Sequence, residues 1–121
     1  IKNRENNFIM NIHDLYEMCC DVAERKETTL EVMYNGSQAM YMVCCGLTGK
    51  KPMSARQWQR KVRKFKKFGL PKVEKANLDD IYAITTTVST LKDSTNEDVL
   101  NGIGTMYILT LKKIKNENGN N

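Results

Sequence analysis

The sequence predicts an α+β fold: a small core of about three helices followed by an antiparallel β-hairpin. Three observations carry that expectation. Apolar residues recur at steps of three and four in the first half of the chain. A stretch near the middle joins a helix cap, an apolar seam and a dense set of cations. The two later apolar runs, residues 81–91 and 105–114, are rich in β-branched and aromatic side chains, and a polar stretch ending in glycines separates them.

The first helix is read from NNFIMNIHDLYEMCCDVAERKE. Phe8, Ile12, Leu15, Tyr16, Cys19, Val22 and Ala23 fall on one helical face, and Asn7 is placed to cap its start. His13 lies off that face and reads as solvated. The next stretch, TTLEVMYNGSQAMYMVCCGLTG, supports two readings. In one, Gly36 ends a short helix and Ser37 caps the next, with Ala39, Met42, Val43, Gly46 and Leu47 on its apolar face. In the other, Asn35–Gly36 turns a hairpin between strands 29–34 and 37–43, because both residues tolerate positive φ. The two-helix reading is preferred, partly because a capped, basic helix comes next in the chain.

That helix is PMSARQWQRKVRKFKKFGLP, read as helical over residues 54–68. Ser54 is a good N-cap, Gly69 suits the position after the last turn, and Pro71 prevents continuation. Trp58, Val62 and Phe65 form a seam, with Ala55 on the same side, expected to bury against the first helix. IYAITTTVSTL and TMYILTLKKI then read as paired strands, and KDSTNEDVLNGIG as the long tip of their hairpin. Residues 1–6 and 116–121 are polar and unpatterned and read as disordered ends around one domain, 7–115.

Charge separates the chain into two parts. The whole carries +5, yet residues 50–75 hold eleven Lys or Arg against Glu74 alone, so the remainder is net negative. Such a segment sets up a positive local field that attracts polyanions. The helix face opposite its seam carries one sign only, whereas a merely solvated face normally mixes Glu with Lys. That pattern points to nucleic acid, with an interaction or assembly module as the alternative.

Other chemistries find less support. The cysteines come as adjacent pairs, Cys19–Cys20 and Cys44–Cys45, inside apolar stretches, and read as reduced core residues. Neighbours on a helix point about 100° apart, so these pairs and the lone histidine fit no metal site, and no cofactor is expected. One histidine and no phosphate loop, GxSxG or HExxH argue for a non-enzyme. No apolar run reaches the ~18 residues that cross a membrane. With no visible signal peptide, although the chain starts at Ile1, the expectation is an intracellular protein of cytoplasm or nucleus with no membrane partner.

The element order, and SQAMYMVCCGLTGKKPMSARQWQRKVRKFKKFGL within it, resembles winged helix-turn-helix DNA-binding domains. Gly46 matches the turn glycine, Ser54 the cap, and FGL the end of the recognition helix. LTGKKPM is longer than the usual turn, and Asp93, Glu97 and Asp98 would make the wing tip acidic, better suited to another protein than to phosphate. The resemblance implies a recognition helix in the major groove of duplex DNA, in transcriptional regulation or replication, with RNA as a variant. Lys50, Lys51, Lys64 and Lys67 would then meet phosphates, and Arg56, Gln59, Arg60 and Arg63 base edges. One short helix reads few base pairs, so a homodimer or a protein partner at the acidic tip would supply a second contact.

Overall fold

The computed structural model of the chain describes residues 11–119, and among them there are five α-helices and no strand. They are α1 (Ile12–Ala23), α2 (Leu30–Thr48), α3 (Ala55–Phe68), α4 (Leu78–Ser89) and α5 (Asn96–Gly119), with a single 3-10 turn at Val73–Lys75 before α4. The fold is therefore all-α. The segment 1–6 and the cap proposed at Asn7 lie outside the described residues; α1 is capped by Asn11, whose side chain accepts from the Asp14 amide at 2.8 Å.

The organisation is a four-helix body with one appended helix. α5 lies at its centre and packs on α2, α4 and α1, while α2 also packs on α4 and α1; α3 packs on α4. The core is filled by Ile12, Leu15 and Cys19 of α1, Met33, Met40, Tyr41, Cys44 and Cys45 of α2, Leu78, Ile81 and Tyr82 of α4, and Val99, Ile103 and Met106 of α5. No fully buried residue of α3 belongs to that cluster.

The β-hairpin and the winged-helix resemblance are overturned. Both strand-like runs are helical, and the physical reason is visible in α4. Thr85, Thr86 and Thr87 are buried, and each hydroxyl donates to the carbonyl four residues earlier, at 2.8–3.0 Å. The helix thereby satisfies polar groups that a β-branched run would otherwise bury unpaired. A Cβ on Gly102 would fall inside contact distance of the Thr85 side chain, so the glycine is what lets α4 and α5 approach.

The supposed hairpin tip, 92–104, is the end of the α4–α5 connection and the start of α5. Asn77 and Thr95 head α4 and α5 with reciprocal capping boxes: Asn77 with Asp80, and Thr95 with Asp98. Asp93 lies in the connection, whereas Glu97 and Asp98 occupy the first turn of α5, where negative charge favours the helix dipole. α5 continues to Gly119, into the stretch expected to be a polar tail.

The segment 29–43 is neither a hairpin nor two helices. α2 is continuous from Thr29, which caps it, through Asn35–Gly36 to Gly49, whose φ of 68° ends it. Ser37 is fully buried and donates to the Tyr34 carbonyl at 2.6 Å instead of capping. Gly46 lies inside the helix and opens no turn. α3 packs on α4 and not on the first helix, so the seam exists but its expected partner was wrong.

Candidate nucleic-acid interface

α3 forms where the sequence predicts it. Ser54 accepts from the Gln57 amide, and the Gln57 side-chain oxygen accepts in return from the Ser54 amide at 2.9 Å. Phe65 is buried, Trp58 and Val62 are half-buried, and Ala55 is exposed. α3 thus touches the body along one narrow seam.

Three polar ties fix it there. The Trp58 indole N–H donates to Thr86 Oγ1 at 3.0 Å. The Met53 amide donates to Tyr41 Oη at 2.8 Å, and that hydroxyl donates in turn to Asp79 Oδ1 at 2.7 Å. Lys61 reaches Asp80 at 2.8 Å. Burial, then the hydrogen bond to Asp79, raises the Tyr41 pKa far above the ordinary tyrosine value, although the Met53 amide works against the rise. Tyr82 stacks on Tyr41 with ring centroids 4.3 Å apart, and burial followed by its bond with Tyr34 raises it too. The two acids at the head of α4 thus serve as anchors for the basic segment.

The predicted site residues divide into three groups. Arg56, Arg60, Arg63 and Lys67 stand at i, i+4, i+7 and i+11, which aligns them along the helix over ~16 Å on the side opposite the seam. All four are exposed. Gln59 and Lys64 flank that row, and Lys51 is exposed in the connection before the helix. Lys50 does not join them: its ammonium lies 2.7 Å from Asp79 Oδ1 and donates to the Lys51 carbonyl.

Lys66 is a cation that the sequence reading missed. It is exposed on the same side as Gln59, and its charge alone was the signal. Lys61, absent from the expected outer face, belongs to the seam side. Between α3 and the head of α4 lies an open cleft of ≈ 430 Å³, lined by Gln57, Arg60, Lys61 and Lys64 against Asp79 and Asp80. Its mixed signs make it a poorer seat for a polyanion than the outer row.

Elsewhere, the four cysteines are free thiols; Cys19, Cys44 and Cys45 are buried and Cys20 is half-buried. Burial raises Cys44 from 9.0 to about 11. Among the described residues no three His, Cys, Asp or Glu side chains stand together as metal ligands, and no helix is long and apolar enough to cross a membrane. His13 is exposed, with Nδ1 2.6 Å from Tyr107 Oη.

No protein-family model, curated protein or solved structure matches the chain.

Proposed function

We propose that the chain binds double-stranded DNA through the outer row of α3. The observation that carries this reading is the alignment of Arg56, Arg60, Arg63 and Lys67 on a helix that, among the described residues, packs on the body through its opposite side. An α-helix of ~10–12 Å diameter enters a major groove ~12 Å wide, and a row of cations along it meets phosphates as it does so. Lys51, Lys64 and Lys67 are assigned to phosphates, and Arg56, Gln59, Arg60 and Arg63 to base edges or phosphates. Lys50 is left out because Asp79 already holds it.

The reading makes phosphate neutralisation the main source of affinity, since a single row reads few base pairs. Four neutralised phosphates give a slope of log K against log salt near about −3.6 on duplex. Fluorescence anisotropy with duplex DNA, single-stranded DNA and RNA, at salt from ~50 to ~200 mM, measures it. Duplex is expected to bind tightest. A flat salt dependence, or no binding at the lowest salt, would remove this reading.

A further inference from the structure

α2 is unusual for a helix that faces solvent. Its 19 residues carry one charge, Glu31, and its exposed side mixes apolar residues with Asn35 and Gln38. Here one side faces the core, yet Val32 is 46% exposed and Met42 55%, with Ala39 and Gly46 exposed between and beyond them. Val32 and Ala39 join Met18, 46% exposed, and Val22 of α1 around an apolar cleft of ≈ 280 Å³. Gly36 floors that cleft beside Cys19. Asp14 and Asp21 on α1 and Glu31 on α2 are exposed beside it, and residues 11–31 hold six acids against Arg25 and Lys26.

A second uncovered apolar feature has the opposite charge. At the end of α3, Phe68 is 75% exposed, Leu70 47% and Val73 50%. Lys66, Lys67 and Lys72 are exposed beside them in the chain, against Glu74 alone, with the Lys67 ammonium 5.3 Å from the Phe68 ring centre. This tip cannot fold back onto its own chain's cleft without leaving its place: α3 begins beside Met42, and its 14 residues carry Phe68 ~20 Å away.

We infer that the lysine-flanked tip Phe68–Val73 of one copy docks in the acid-flanked α1–α2 cleft of a second copy. Each surface supplies what the other lacks: exposed aromatic and aliphatic side chains for an apolar cleft, and Lys66, Lys67 and Lys72 for Asp14, Asp21 and Glu31. The two surfaces are different patches of one chain, so the contact is head-to-tail. Every copy keeps a free tip at one end and a free cleft at the other, and association grows as a chain or closes as a ring. The tip shares Lys67 with the Arg56–Arg60–Arg63–Lys67 row, but the inference does not depend on DNA binding.

The test is sedimentation equilibrium on nucleic-acid-free protein at ~50 mM salt up to ~1 mM, concentrations suited to a small interface. The weight-average mass should climb above the monomer's 13.9 kDa with concentration and fall back as salt is raised. Phe68→Asp, and separately Met18→Lys with Val32→Lys, should each hold the chain at monomer mass. These positions are solvent-facing, and circular dichroism checks that each variant folds. An equimolar mixture of the two variants should form a dimer and nothing larger, since one still has a cleft and the other a tip.

Three mass results overturn the proposal: a parent that stays monomeric, a variant that assembles alone, or a mixture that stays monomeric. A measurement without substitutions stands beside these. Amide signals of Val32, Ala39, Phe68 and Leu70 in the parent should shift together with concentration, and shifts confined to other residues would equally overturn it.

Discussion

The four-helix body and α3 are held by different physics. In the body, Met33, Met40, Val99, Ile103 and Met106 are at most 1% exposed, and close helix approaches run through Gly36 and Gly102. In α3 one residue, Phe65, is buried, and the helix is fixed by the bonds of Trp58, Met53 and Lys61. Stability thus resides in one part and the strongest field in the other. The surface of α3 can therefore change with little cost to the fold, whereas the body cannot.

The sharpest way to break the contrast is to truncate the body. Ile103→Ala removes a fully buried side chain from the central helix and should cost ~2–5 kcal/mol. Gly102→Ala, which forces a Cβ against buried Thr85, should cost ~1–3 kcal/mol by overpacking. Chemical denaturation measures both. A loss below ~0.5 kcal/mol for either would mean that the α4–α5 crossing is looser than the Gly102–Thr85 approach requires.

Alkaline pH strikes the same region next. The Cys44 thiol, fully buried, is raised by burial from 9.0 to about 11. Below pH 9 both folded and unfolded chains keep that proton, so it does not affect stability. Above pH 9 the unfolded chain releases it first and binds fewer protons, so stability falls as pH rises toward 11. Tyr41 and Tyr82, both raised, extend the fall beyond pH 10. Cys44→Ala should make the pH 9–11 part of the curve shallower by ~1–3 kcal/mol, leaving the share of the Cys19 and Cys45 thiols, which burial also raises, although the small cavity lowers stability at every pH.

Trp58→Ala tests the seam. The ring is half-buried and its N–H is bonded to Thr86, so the cost should be ~1–2 kcal/mol, below that of a core aromatic. It should appear as local release of α3. Hydrogen exchange should quicken across residues 55–68 while α5 stays protected. Equal acceleration in both would make α3 part of the body's cooperative unit.

α3 was legible in the sequence because every level agreed: the Ser54 cap with Gln57, the three-residue seam, and Gly69 and Pro71 after it. α4 and α5 were not, because composition and context disagree. IYAITTTVSTL has strand-forming residues, yet the Thr hydroxyls bond within the helix and Gly102 admits them to a tight crossing. The capping boxes Asn77–Asp80 and Thr95–Asp98 were present as Asn-x-x-Asp and Thr-x-x-Asp, and they were the signal that could have decided for helices. Asn35–Gly36 misled for a related reason: a turn dipeptide remains helical when α1 packs on Gly36. The row Arg56–Arg60–Arg63–Lys67 was readable from spacing alone, whereas the loss of Lys50 to Asp79 was not, because residues 29 apart meet only through the fold.

The smallest effect on stability belongs to that row, and it separates the two regions most cleanly. Arg60 and Arg63 are exposed, and no ion pair ties them to the body among the described residues. Arg60→Ala with Arg63→Ala should therefore change unfolding free energy by less than ~0.5 kcal/mol. Binding should respond quite differently. Each lost phosphate contact should make the salt slope on duplex DNA shallower by ~0.9, and each lost base contact should cost ~1–3 kcal/mol. A loss that is uniform across duplex sequences assigns both arginines to phosphates; a loss that depends on sequence assigns at least one to a base edge. Unchanged affinity with unchanged stability would leave the row as a solvated face, and the field of α3 would then have to act on some partner other than DNA.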